Sequence, residues 1–204
     1  MVLLGDLLNT ADFSKAVDGL AREFRGRHKL PAIHQLGLTV PDVEYAARVL
    51  EAKGIGPFFI ANGSPVFWRE RGQERSIRGK MGMAYHQSFE LELLEPTEGS
   101  EFYRQSLDSA GGIVVQHLGF LVPDVDEWAD RLAAAGSPVW IRGKLKIGPA
   151  AADFCYMDTV EEAGLIIEFI SWRIFGSSFS PPAALYHAAG RLEKWSGKRS
   201  ITVR

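Results

Sequence analysis

His34-Gln35-Leu36-Gly37-Leu38-Thr39-Val40-Pro41-Asp42-Val43 and Gln116-His117-Leu118-Gly119-Phe120-Leu121-Val122-Pro123-Asp124-Val125 are near-copies of one another. In each, an apolar, β-branched run reads as a strand, and the closing Pro-Asp supplies a turn and a helix N-terminal signal. If the chain is duplicated, its two modules should end alike as well as begin alike. The first ends on Phe89-Glu90-Leu91-Glu92-Leu93-Leu94 and the second on Leu165-Ile166-Ile167-Glu168-Phe169-Ile170, each an apolar strand that carries an acid.

Between these landmarks the order of elements repeats. After the first strand, a helix from Asp42 to about Lys53 buries Val43, Ala46, Ala47, Val49 and Leu50, and Gly54-Ile55-Gly56-Pro57 ends it. Strand-like runs follow at 58–60, 66–68, 80–85 and 88–94. In the second copy the strand is 113–122, the helix 125–135, and the later strands 138–141, 151–158 and 164–171. Strand-helix-strand-strand-strand order predicts an α+β fold: paired βαβββ modules, meeting face to face, that form a curved mixed sheet around a central metal site. The expected organisation is an N-terminal helical extension (1–31), a first module (32–97), a linking helix (98–112), a second module (113–172) and a C-terminal extension (173–204). The N-terminal part reads as one amphipathic helix over 10–27, with Phe13, Val17, Leu20 and Phe24 at helical spacing and Thr10 or Asp12 as its cap. The C-terminal part carries a short helical stretch over 183–195 and a basic end, read as a surface or interface extension.

The 204 residues are 46% hydrophobic, enough for a sizeable core, and a formal charge of −2 offers no general attraction to nucleic acid or anionic lipid. The single Cys155 forms no intramolecular disulfide and fits a reducing compartment. The stretch Met1-Val2-Leu3-Leu4-Gly5-Asp6 lacks the basic and apolar regions expected of a secretory signal, and no apolar run approaches the roughly 20 residues that span a bilayer. The expectation is a cytoplasmic protein with a small-molecule substrate, no nucleic-acid or membrane partner, and a homodimer left open.

Aligned on Pro-Asp-Val, the two copies become a ruler. His117 falls opposite Gln35, each six residues before its proline, while His34 falls opposite Gln116. Successive strand residues point to opposite faces, so His34 is expected to look away from whatever His117 faces. An unpaired carboxylate in an apolar strand costs several kcal/mol of desolvation, so Glu92 and Glu168 need a partner, and a cation is an economical one. Gln35, Glu92, His117 and Glu168 then form a metal-ligand set, two from each module. Imidazole, carboxylate and amide donors suit Zn²⁺, Ni²⁺, Co²⁺, Mn²⁺ or Fe²⁺ without selecting among them. Against this stand plainer readings: His117 as a hydrogen-bonded core residue, and Glu90 with Glu92 as the solvent face of an edge strand. Glu90 shares a face with Glu92, so either it or His34 could substitute as a ligand.

On these residues the chain resembles the vicinal oxygen chelate superfamily, the group of glyoxalases, bleomycin-resistance proteins and ring-cleaving dioxygenases. The resemblance covers about 32–172. Leu91-Glu92-Leu93-Leu94-Glu95-Pro96, Gly111-Gly112 and the 164–168 ending are most similar to methylmalonyl-CoA epimerase-like and glyoxalase-like proteins. The resemblance implies metal ligands at Gln35, Glu92, His117 and Glu168, an order similar to that of a zinc glyoxalase I. Thr39 and Pro96 stand where glyoxalase I carries its Arg and Asn, and Gln35 departs from the two-His pattern of dioxygenases.

The chemistry that suits such a metal is proton transfer next to a carbonyl through a metal-stabilised enolate, an isomerase or lyase reaction on an acyl-CoA or related 2-oxo compound. Glu168, and secondarily Glu92, are the candidate catalytic bases. Tyr85, His86, Tyr156 and Asp158 are candidate substrate-binding residues. Arg69, Arg71, Arg75 and Arg78 form a basic run that reads either as an anion site or as a solvated hairpin. The competing readings are a non-catalytic binder of planar compounds on the same fold, with five Trp and twelve Phe to draw on, and an extradiol-type dioxygenase.

Overall fold

The Pro-Asp pairs mark the same structural event twice in a computed structural model that describes residues 1–197 and the backbone of 201–203. β1 (Val2–Leu3), α1 (Leu4–Leu8), α2 (Phe13–Asp18) and α3 (Arg22–His28) come first. β2 (Gln35–Thr39) then leads to α4 (Val43–Ala52), whose cap Asp42 accepts from the Tyr45 amide at 2.8 Å. β3 (Phe59–Gly63), β4 (Phe67–Glu70), β5 (Gln73–Glu74), β6 (Gly79–His86) and β7 (Phe89–Leu94) complete the first half. In the second half β8 (Val114–Leu121) leads to α5 (Val125–Ala134), whose cap Asp124 accepts from the Asp126 and Glu127 amides. β9 (Val139–Ile147), β10 (Ala150–Met157), α6 (Val160–Ala163), β11 (Ile166–Ile174), β12 (Ser177–Ser178), α7 (Ala183–Ser196) and β13 (Ile201–Val203) follow.

The strands form one curved, mixed sheet in the order β13-β3-β6-β7-β2-β8-β11-β10-β9-β4-β5. The two halves do not meet face to face as expected. They join edge to edge through the antiparallel pair β2–β8, which the near-copied stretches themselves provide. β2 is parallel to β7 and β8 is parallel to β11, so with β2 and β8 antiparallel the two modules run through the junction in opposite senses. The 66–68 strand belongs to neither module's βαβββ set: β4 crosses to pair with β9 at the far end of the sheet. Gly63 on β3 and Phe67 on β4 are four positions apart, a reach of about 14 Å at full extension. The two ends of the sheet therefore approach one another, and its concave face encloses a cleft.

The convex face is covered by helices. Val43, Ala47 and Leu50 of α4 and Val125, Ala129 and Leu132 of α5 pack with Leu36, Leu38, Leu118 and Phe120 in one core. Leu4, Phe13, Val17 and Phe24 bring α1 to α3 onto the same core, so the N-terminal extension docks on its own chain. The expected single helix over 10–27 is two helices: α2 is capped by Asp12, Thr10 instead donates to Leu7 O, and Gly19 ends α2 before Ala21 turns to φ 47°. The expected linking helix over 98–112 is also absent, apart from a 3₁₀ turn at Arg104–Ser106. There Thr97 Oγ1 donates to Ser100 O and Ser100 Oγ accepts from the Phe102 amide, local bonds that compete with a helix. Gly99 at φ 87° lies against the Ser76 carbonyl. Part of the basic C-terminal end falls outside the described residues. Among the described residues no helix is long and apolar enough to cross a membrane.

Candidate metal centre

Two glycines decide where the ligands go. At the β2–β8 junction Gly37 lies opposite His117 and Gly119 opposite Gln35. A methyl group on Gly37 would overlap the His117 ring, and one on Gly119 would lie 2.6 Å from Gln35 Oε1. Each copy's glycine thus makes room for the other copy's side chain. The outer neighbours complete the pattern, since β7 sets Glu92 beside Gly37 and β11 sets Glu168 beside Gly119. Glu92 and His117 face each other across one glycine, Gln35 and Glu168 across the other.

His117 Nε2 lies 3.1 Å from Glu168 Oε2 and 3.5 Å from Glu92 Oε2, and ligand atoms of the three residues all lie within 4.8 Å of one another. All three are buried, as is Gln35. Among the described residues, Gln35 Oε1, Glu92 Oε2, His117 Nε2 and Glu168 Oε2 have no hydrogen-bond partner. Four buried donor-set atoms left unsatisfied side by side suit a cation, because each alone would cost about 1–3 kcal/mol. Burial pushes the Glu92 carboxyl up to about 7, with the Glu168 charge adding to the shift against His117. Burial works against a charged His117, but the Glu168 and Glu92 carboxylates outweigh it and raise the imidazole to about 9. The residues present therefore fit a divalent metal.

The ring of His117 is oriented from behind. Its Nδ1 lies 3.2 Å from Gln116 Oε1, and Gln116 Nε2 donates to Phe102 O and Ser106 Oγ, both at 3.0 Å. An Nδ1–H held this way leaves the Nε2 lone pair for the site. A register shift between Gly37 and Leu38 produces the arrangement: Gly37 pairs with His117 but Leu38 with Val115, so Gln116 is the extra residue of a bulge. Strict alternation fails there, which is why adjacent Gln116 and His117 both turn inward. His34, the counterpart of Gln116, behaves likewise. It does not look away: its Nε2 lies 3.7 Å from Glu90 Oε2 and 3.4 Å from the Tyr85 hydroxyl. Glu90 in turn accepts from Gln35 Nε2 at 2.7 Å, which fixes the Gln35 amide. Neither His34 nor Glu90 belongs to the cluster of three; both support Gln35.

Gln35, Glu92 and Glu168 line the floor of the concave cleft. Of the expected substrate-binding residues, Tyr156 lines it, edge-on to His117 with ring centroids 4.9 Å apart and its hydroxyl 3.2 Å from that of Tyr103. Tyr85 is a correction: it does not line the cleft, but stacks on Tyr186, which does, and donates to Pro181 O. His86 is a correction: it follows Tyr85 on the strand, faces the helices, and packs edge-on to Phe13. Asp158 is another: it lies past the end of β10 and pairs with Arg71 at 2.9 Å. Gln116, Tyr103, Trp172 and Tyr186 escaped sequence reasoning. Only Gln116 had a signal, its place opposite His34 in the repeat.

Residues 29–156 match the sequence profile of the Glyoxalase/Bleomycin resistance protein/Dioxygenase superfamily, and the chain belongs to that superfamily. Similar solved structures include a methylmalonyl-CoA epimerase in complex with methylmalonyl-CoA and NH4+, 20% identical over 69% of this chain and 94% of that one, TM-score 0.46. A Streptomyces coelicolor methylmalonyl-CoA epimerase variant in complex with 2-nitronate-propionyl-CoA is 20% identical over 74% of this chain and 99% of that one, TM-score 0.48. The Mycobacterium tuberculosis methylmalonyl-CoA epimerase is 17% identical over 71% and 93%, TM-score 0.43. No curated protein sequence matches the chain.

Proposed function

We propose that the chain is a divalent-metal enzyme that moves a proton next to a carbonyl, an isomerase or lyase of the glyoxalase and epimerase kind. The observation that carries this reading is the set of buried, mutually facing atoms on Glu92, His117 and Glu168 that have no hydrogen-bond partner. Gln35 Oε1 is the fourth donor. A divalent cation held by these four would supply Lewis acidity to a pair of vicinal substrate oxygens. Glu168 Oε2 takes the proton from the carbon beside the carbonyl and returns it, and the negative charge left behind passes to the carbonyl oxygen. Glu92, with its carboxyl pushed up to about 7, is the second proton carrier at neutral pH. Gln116 holds His117 in the tautomer that keeps Nε2 directed at the site. The apolar walls keep bulk water from the exposed carbon.

Two observations weigh against the other readings. A non-catalytic binder would neutralise Glu92 and Glu168 with Arg or Lys, whereas His117 is the group that faces both. A two-His dioxygenase face would need His34, whose ring is directed at Glu90. The test is elemental analysis of protein purified without chelator, followed by solvent-deuterium exchange into 2-oxo thioesters and hemithioacetals. His117→Ala should lose the metal and His34→Ala should keep it. Glu168→Gln at saturating metal should slow exchange by about 10²–10⁴-fold. Metal retained by His117→Ala, or exchange undiminished in Glu168→Gln, would refute the assignment.

A further inference from the structure

Above the glutamates the cleft is walled by carbon. Trp172 and Ile170 come from β11, Phe154 from β10, Leu145 from β9, Trp68 from β4 and Met83 from β6. These strands span the sheet from one module to the other, so the apolar lining is a property of the whole concave face. The C-terminal helix α7 extends it. Tyr186 packs with Phe59, Ala61 and Met83, and buried Glu193 anchors the helix by accepting from the Ile60 amide at 3.0 Å. Lys194 pairs with Glu51 at 3.0 Å on the outer side.

The charge in the cleft points the same way. Apart from the metal-site residues, the formal charge among the lining residues is Lys80. Its ammonium lies 3.0 Å from Glu44 and 4.0 Å from Glu95, so it is already neutralised. Of the basic run of the hairpin, Arg69 pairs with Glu74, Arg71 with Asp158 and Arg75 with Glu70, Arg78 is exposed, and none of the four lines the cleft. Away from the metal-site residues, an anionic group entering here would shed its hydration against the described lining residues with no uncommitted cation among them to receive it. An apolar ring would instead exchange water for aromatic and aliphatic contacts. One pair of neutral donors is in place for uncharged oxygens. The Tyr103 and Tyr156 hydroxyls lie 3.2 Å apart beside His117; one donates to the other, which leaves the second hydrogen for a ligand.

We propose that the part of the substrate that enters the cleft is uncharged and bulky, an aromatic or alicyclic compound with two vicinal oxygens, and not a carboxylate- or phosphate-bearing one. The two oxygens rest on the proton-transfer reading above; the apolar, uncharged body rests on the cleft walls alone. The probes are 2-hydroxy-1-phenylpropan-1-one, which is neutral, aromatic and carries a proton beside its carbonyl, and anionic methylmalonyl-CoA. Titration calorimetry on the full chain loaded with Zn²⁺ should show the ketone binding at least about tenfold tighter. Trp172→Ala and, as a second variant, Leu145→Ala should each weaken the ketone several-fold and leave methylmalonyl-CoA unchanged. Near-UV circular dichroism selects the variant that folds. Methylmalonyl-CoA binding as tightly as the ketone, no measurable binding of the ketone, or ketone affinity indifferent to both substitutions overturns the proposal. Deuterium exchange in the same samples reads the other claim separately. A ketone that binds without exchanging its proton refutes proton transfer and leaves the substrate class standing; exchange of methylmalonyl-CoA alone does the reverse.

Discussion

A carboxyl and an imidazole buried side by side set the pH dependence of stability of the metal-free protein. In the metal-free protein Glu92 is raised by burial from 4.5 to about 7, so the fold disfavours its charged form, and the penalty grows as pH rises from about 4.5 to 7. His117 is raised from 6.5 to about 9 by its two carboxylate neighbours acting against burial; its stabilisation is complete below 6.5 and lost as pH rises through about 9. Both effects run the same way, so protein held in chelator should lose stability steadily from pH 5 to pH 9, read as a falling denaturant midpoint. His117→Ala should abolish the upper half of that slope. Metal affinity must run oppositely, because ligands bind only when deprotonated. The residue-scale choice of His117 over His34 was legible from the repeat. The reason His34 nonetheless turns inward was not, because it depends on Glu90 and Tyr85, which are remote in sequence.

At the scale of elements, the junction of β2 and β8 carries both the duplication and the site. Alternation along β7 puts Glu90 and Glu92 on one face, and both turn inward, Glu90 to Gln35 and Glu92 to His117. Alternation fails at Gln116 because a bulge there depends on the partner strand's register, which a single strand does not encode. The glycine two places after each ligand position was in plain view in both copies, and its meaning emerges only when the strands are laid side by side. Gly37→Ala should therefore push the His117 ring off Glu92 and Glu168, costing about 1–3 kcal/mol in denaturant titrations by overpacking and lowering metal affinity in the same protein. Gly119→Ala meets Gln35 instead, 2.6 Å from its Oε1, and should cost less metal affinity since His117 is left in place. If the two substitutions affect metal equally, the facing arrangement is wrong.

For the molecule as a whole, the candidate site sits where two modules meet, and two strands of each module contribute one candidate ligand apiece. Binding a cation there ties together β2, β7, β8 and β11, so it should stabilise the entire fold as one unit. At a metal concentration about 100 times Kd the gain is about 2.7 kcal/mol, which a thermal melt with and without chelator will read as a higher Tm. An unchanged Tm on chelation would show that the four residues hold no ion. The same long-range closure builds the cleft: β4, only four residues after β3, reaches the opposite end of the sheet and brings Trp68 to the wall.

By itself, the amino-acid sequence determined the duplication, the α+β class, the Pro-Asp helix caps and the inward positions of Gln35, Glu92, His117 and Glu168. These follow from local patterns: period-two burial, capping chemistry and an internal repeat that calibrates one copy against the other. Tertiary structure alone decided that the halves join edge to edge, that residues 98–112 wrap as a loop to place Tyr103 and hold Gln116, and that α7 adds Tyr186 beside the cleft. It also decided that His86 faces the helices, Asp158 pairs with Arg71, and Arg69, Arg71 and Arg75 are spent on ion pairs. Each of those depends on which strand neighbours which across long stretches of chain, information carried by packing and register and by no local spacing.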